Sequence, residues 1–118
     1  MIIYNEQEQG GHMKTLNIQK IRKFVMDGKI RWTNHVVIRL FQRNISQEDV
    51  EKALLNGEII EEYQNDYPYP SCLVYGLNIK NDVIHVVCGA NEEELWIITA
   101  YYPDDIKWKS DFKTRREN

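Results

Sequence analysis

The stretch Ser46-Gln47-Glu48-Asp49-Val50-Glu51-Lys52-Ala53-Leu54-Leu55-Asn56-Gly57-Glu58-Ile59-Ile60-Glu61-Glu62-Tyr63-Gln64 decides the fold class, because the period of its apolar residues changes inside it. Before Gly57, Val50, Ala53, Leu54 and Leu55 fall on one side of a helix. Ser46 is placed to cap that helix, with Asp49 at the third helical position completing an approximate capping box. Asn56-Gly57 ends it. Beyond Gly57 the period is two. Residues Glu58–Gln64, Cys72–Ile79, Val83–Cys88 and Leu95–Tyr102 read as four strands rich in Ile, Val, Tyr and Trp. Helices first and a meander afterwards predict an α+β domain, with two to three N-terminal helices packed on one face of a four-stranded antiparallel β-sheet.

Towards the N-terminus, Ile18, Ile21, Phe24 and Val25 recur with a helical period. They predict a helix over Asn17–Asp27 with Gly28 as its C-terminal cap. A second helix, Thr33 to Arg43, has Thr33 as candidate N-cap. Its Val36, Val37, Leu40 and Phe41 are expected to form the packing side. Towards the C-terminus, Asn81-Asp82 fits a two-residue hairpin turn that pairs Lys80 with Val83 and Leu77 with Val86. In that register Leu73, Tyr75, Leu77, Ile79, Ile84, Val86, Cys88, Leu95, Ile97, Thr99 and Tyr101 lie beneath the helices. His85, Asn78, Trp96 and Tyr102 then line an open face, with Val74, Gly76 and Ala100. A slip of one residue exchanges the two sets. Tyr67-Pro68-Tyr69-Pro70 reads as an extended linker, and Trp108 is expected to fasten the C-terminal segment to the sheet.

With 118 residues, 42% hydrophobic and 28% charged, the chain suits one globular domain with a single core. No apolar run is long enough for a membrane span, so no membrane association is expected. Cys72 and Cys88 fit a reducing, cytoplasmic setting and lack the number and spacing of a zinc site, so neither a metal nor a cofactor is expected. Residues 1–12, with Gly10-Gly11-His12 before Met13, read as a vector-derived or disordered leader, which leaves residues 13–118 as the domain. Charge is unevenly spread although the net charge is only −3. Eight basic residues and one acidic residue lie between Lys14 and Arg43, and seven acidic residues and one lysine between Ser46 and Asp66. Such asymmetry points to a polyanionic partner such as RNA; alternatively the two segments pair with each other in the fold.

The chemistry-bearing pattern is His35-x-x-x-Arg39-x-x-x-Arg43. Residues four apart stack along a helix, so an imidazole and two guanidinium groups form one stripe. Such a stripe suits phosphate handling, and a solvated helix face is the alternative. His85, in a predicted strand, is the second histidine candidate; it can equally serve as a structural group hydrogen-bonded to a backbone carbonyl. Lys29, Arg31 and Arg115 are further cations suited to RNA, and a frayed, solvated tail is the alternative for Arg115. Glu61 and Glu62 can act as bases or as charges that protect a sheet edge.

Several segments together resemble one family. They are Trp32-Thr33-x-His35-x-x-x-Arg39-Leu40-x-x-Arg43-x-Ile45, Gly57-Glu58-Ile59-Ile60-Glu61-x-Tyr63 and Tyr69-Pro70-Ser71-x-Leu73, followed by Ile84-His85-Val86-Val87, Ile97-Ile98-Thr99-Ala100-Tyr101-x-Pro103 and Trp108. In this order, over roughly Ile30 to Arg116, they resemble the bacterial domain-of-unknown-function 4258 family. The resemblance implies the small α+β fold of the RelE, barnase and colicin ribonucleases. It also implies a toxin of a type II toxin–antitoxin pair acting as a metal-independent endoribonuclease in the cytoplasm. The antitoxin partner then carries, in some members, a zinc-binding domain. His35, Arg39 and Arg43 are the leading catalytic candidates, followed by His85 and by Tyr101, whose ring is expected in the core with its hydroxyl reaching the site. A non-catalytic RNA- or protein-binding module of the same fold is the alternative, motivated by the acidic total.

Overall fold

Each helix begins where a short polar side chain can hold its first turn. A computed structural model describes residues 16–117, so the expected leader over residues 1–12, Met13 and Lys14 lie outside the described residues. Helix α1 (Ile18–Met26) is capped by Asn17, whose side chain accepts from the Lys20 backbone N–H at 2.9 Å. Thr33 does the same for α2 (Asn34–Gln42), accepting from Val36 at 3.2 Å. For α3 (Gln47–Asn56) the capping box is reciprocal: Ser46 accepts from Asp49 N–H at 2.9 Å, and Asp49 accepts from Ser46 N–H at 3.0 Å. Gly28 follows α1 with a φ of 71°, a conformation that suits glycine, and turns the chain into β1 (Ile30–Arg31).

The remaining strands are β2 (Glu58–Tyr63), β3 (Ser71–Leu77), β4 (Val83–Ala90) and β5 (Leu95–Tyr101). They form one five-stranded mixed sheet in the order β1-β5-β4-β3-β2, antiparallel except where β1 runs parallel to β5. This corrects the expected four antiparallel strands. A two-residue strand has no period to read, and β1 exists only because Ile30 and Arg31 meet Leu95 and Trp96.

The β3–β4 register also differs from expectation. Leu77, not Lys80, pairs with Val83, and residues 78–82 form the loop. Asn78 organises it: its N–H donates to the Asp82 carbonyl at 2.9 Å, and its side-chain oxygen accepts from Lys80 and Asp82 N–H at 3.0 and 2.8 Å. The offset is odd, so β3 turns over. Cys72, Val74 and Gly76 face the helices, whereas Leu73, Tyr75 and Leu77 face away. In β5 the register shifts between Val87 and Cys88, which pair with Thr99 and Ile97 and leave Ile98 between them. Leu95 and Ile97 therefore lie under the helices as expected, but Thr99 and Tyr101 do not; Ala100 takes the inner position.

The core joins Ile21, Val36, Leu40, Val50, Ala53 and Leu54 of the helices to Val74, Ile84, Val86, Leu95 and Ile97 of the sheet. Helix α3 lies so close to β3 that a Cβ on Gly76 would sit 2.2 Å from the Ala53 carbonyl oxygen. Helix α2 packs through Val36 and Leu40 alone. Val37 and Phe41, expected on the packing side, point outward, because α2 makes its sheet contacts with β5 through a single i, i+4 ridge. The opposite sheet face is not open. Residues 103–117 fold back over it, with Trp108 buried and bridged to Arg115, and cover His85. Trp108 fastens this tail, as the sequence suggested.

Candidate functional site

Strand alternation and the register of the last three strands set Tyr75, His85 and Tyr101 in a row across the tail-covered face. The His85 side chain is fully buried. Its Nε2 lies 2.7 Å from the Phe112 carbonyl oxygen. A carbonyl only accepts, so Nε2 carries the proton and Nδ1 is the acceptor. The Tyr101 hydroxyl lies 3.4 Å from that Nδ1 and is the group able to donate to it. The Trp108 ring meets the imidazole edge-on at 4.6 Å. Burial pulls the His85 pKa below its ordinary value, opposed by the Phe112 carbonyl and Glu61.

Beside this pair, Glu61 and Tyr63 project from β2 two residues apart, hence on one face. Arg115 grips Glu61 with a forked pair of hydrogen bonds, Nε to Oε2 at 2.6 Å and Nη2 to Oε1 at 3.1 Å, and lies over the Trp108 ring at 4.5 Å. The Tyr63 hydroxyl donates to Glu61 at 2.6 Å. Arg115, with Tyr63, holds the Glu61 carboxyl below its usual range despite partial burial. Burial and the Glu61 charge push the Tyr63 phenol up to about 12. Burial likewise raises Tyr101, with Glu61 and Asp104 acting in the same direction and Arg115 and Arg43 against it. Both phenols are thus donors at neutral pH.

Arg43 enters from the other side. Because β1 pairs only with Leu95 and Trp96, the far end of β5 is left for Arg43 to reach, and its Nη1 donates to Thr99 Oγ1 at 3.0 Å and the Ala100 carbonyl at 2.8 Å. Of the sequence candidates, the fold thus gathers Arg43, His85, Tyr101 and Arg115 around one face. His35 and Arg39 stay exposed on α2 and share none of the hydrogen bonds of this cluster. Lys29 is exposed, and Arg31 pairs with Glu94 at 2.8 Å. The acidic stretch pairs with the tail: Glu58 with Lys113 at 2.8 Å and Glu61 with Arg115. The sequence offers Glu61 only as a base or an edge charge. Its fork with Arg115 spans the chain, and the local signal for its alignment with Tyr63 was the Glu61-x-Tyr63 alternation. Among the described residues no group of three or more His, Cys, Asp or Glu side chains is placed to hold a metal ion, and no helix is long and apolar enough to cross a membrane. Cys72 and Cys88, free thiols, face each other under the helices at 4.0 Å.

The chain matches, over residues 32–102, the family described as domain of unknown function (DUF4258). It belongs to the DUF4258 family. The match to DUF4258 spans α2 through Tyr102 and takes in His35, Arg39, Arg43, Glu61, His85 and Tyr101, while Trp108, Phe112 and Arg115 of the tail lie beyond it. No curated protein and no solved structure matches the chain.

Proposed function

We propose that this DUF4258 protein is an endoribonuclease of the toxin kind, working in the cytoplasm without a metal ion and held in check by an antitoxin protein. The observation that carries the reading is the Tyr101–His85 pair flanked by Arg43 and Arg115. In the proposed reaction Tyr101 takes the proton of a ribose 2′-hydroxyl as its own proton passes to His85 Nδ1. The 2′ oxygen attacks the adjacent phosphorus, and the bond to the 5′ oxygen breaks. The products are a 2′,3′-cyclic phosphate and a 5′-hydroxyl; the leaving oxygen takes a proton from solvent, and His85 returns one to solvent. Arg43 and Arg115 offset the charge that builds on the phosphorane. His35 lies about 12 Å along α2 from Arg43, too far to share its phosphate. With Arg39, Lys29 and Arg31 it grips the strand on either side.

Positioned proton transfer is typically worth about 10²–10⁴ in rate. Tyr101→Phe removes one oxygen and keeps the ring, so cleavage of a fluorogenic oligoribonucleotide should fall by about that factor with an unchanged melting temperature. Growth arrest on expression should disappear with it. Cleavage by the variant at the wild-type rate, or no cleavage by the wild-type protein, would remove this reading. One observation favours the second reading, a non-catalytic RNA- or protein-binding module: His85 and Glu61 are already engaged by the chain's own tail. RNA bound but left intact would establish it.

A further inference from the structure

The chain has two cysteines, and the β3–β4 register sets them directly opposite each other. The pair lies near the end of the hairpin away from its 78–82 loop, with Ser71 opposite Gly89 as the next step outward. Both side chains point to the helix side, in file with the opposed Val74 and Val86. Their sulfur atoms are 4.0 Å apart, and both thiols are free. We propose that this opposed pair is a reversible oxidation site, which hydrogen peroxide or another small hydroperoxide converts to a disulfide between Cys72 and Cys88.

The backbone already meets the demands of that bond. Directly opposed residues of antiparallel strands have Cα atoms about 4.5 or 5.5 Å apart, and a disulfide spans about 4.4–6.8 Å. The two side chains leave the sheet on one face, so rotation about Cα–Cβ brings the sulfurs together while the strands stay paired. Access is the harder requirement, because Cys72 and Cys88 are 1% and 0% exposed. The contact with Cys72 and burial push the Cys88 thiol well above its ordinary value, so the closed sheet keeps it unreactive. Position in the hairpin supplies a route. Pro70 and Ala90, each two residues from a cysteine, border a cavity of about 950 Å³. Ala90 also packs against the core cluster that contains both thiols. Strand ends open at less cost than the whole fold. Parting Ser71 from Gly89 lets a molecule the size of peroxide pass from the cavity to the sulfurs.

In the first step one thiol gives up its proton and its sulfur attacks an oxygen of hydrogen peroxide. The O–O bond breaks, the sulfur becomes a sulfenic acid, and the departing oxygen takes the proton and leaves as water. The opposed thiol then attacks that sulfur. The S–S bond forms, the S–O bond breaks, and the hydroxyl leaves with the second proton as water. Two thiols and one peroxide thus give one disulfide and two waters. With its partner 4.0 Å away, the sulfenic acid is consumed before a second peroxide carries it to sulfinic acid. None of this rests on the ribonuclease reading.

The full chain, reduced and then exposed to excess hydrogen peroxide, tests the site by mass spectrometry. Peptide mapping should find Cys72 joined to Cys88 with the loss of two hydrogens, and dithiothreitol should restore both thiols. Cys72→Ala and Cys88→Ala each remove the resolving thiol, so dimedone should label the remaining sulfur in either variant and spare the wild type. Against glutathione, the equilibrium constant for closing the disulfide should be at least about tenfold larger in the folded chain than in the same chain unfolded in urea. That comparison separates native opposition from chance collision. Mapping and the equilibrium constant are read on wild type, so a variant that fails to fold leaves the test intact. Thiols left unoxidised, sulfinic acid with no cross-link, a link formed only between two chains, or an equal constant in urea overturns the proposal.

Discussion

The two faces of one sheet are closed in different ways. On the helix side, Cys72, Val74, Ile84, Val86, Cys88, Ile97 and Ala100 meet three amphipathic helices, and of these strand residues only the two thiols are ionisable. On the tail side the same strands present Tyr75, His85, Thr99 and Tyr101, with Glu61 and Tyr63 beside them. Apolar burial is non-directional, so the helix side asks only for complementary volume. Buried polar groups need partners, and the tail supplies them individually: the Phe112 carbonyl for His85, the Arg115 fork for Glu61. The first face secures the fold; the second keeps groups with chemistry and depends on each partner being in place.

The largest expected effect breaks the tail side. Trp108→Ala removes the largest fully buried side chain and should cost about 3–5 kcal/mol. If the faces are separable, hydrogen exchange will show protection lost first in residues 103–117, with β3 and β4 still protected. Simultaneous loss in all strands would make the two faces one cooperative unit. A smaller effect tests the helix side. Gly76→Ala forces a methyl group against the Ala53 carbonyl and should cost about 1–3 kcal/mol in denaturant unfolding, without disturbing the tail. The smallest is a pH effect that only the tail side should show. The folded state holds His85 below its ordinary value of 6.5, so the unfolded chain binds the proton more readily. Stability is therefore full above that value and declines as pH falls through it towards the folded pKa, by less than about 1.4 kcal/mol per pH unit. His85→Gln should flatten the decline above the carboxylate range. The same slope in that variant would trace it to another group.

Much of this architecture was legible from periodicity. Asn17, Thr33 and Ser46 marked helix starts because capping is local chemistry, and the change of period at Gly57 separated helices from sheet. What escaped was set by contacts distant in sequence. β1 is defined by Leu95 and Trp96 and the bulge at Ile98 by its partner strand; the 78–82 loop is the exception, a local turn that the Asn78 side chain takes over from Asn81-Asp82. The site followed the same rule. Arg43, His85 and Tyr101 were recognisable by residue type, yet Tyr101 was expected to point inward because the bulge was not seen. Glu61 met its partner only through Arg115, from the other end of the domain.

The tail has one further consequence, for a chain still being made. Domains tend to fold from the N-terminus as they emerge from the ribosome. Helices α1 to α3 and strands β2 to β5 are synthesised before Trp108, Phe112 and Arg115, so the helix-side core can close while the other face is still bare. During that interval His85 lacks its carbonyl and Glu61 its guanidinium. The nascent protein then has a wet, uncovered sheet surface, and residues 103–117 seal it when they arrive.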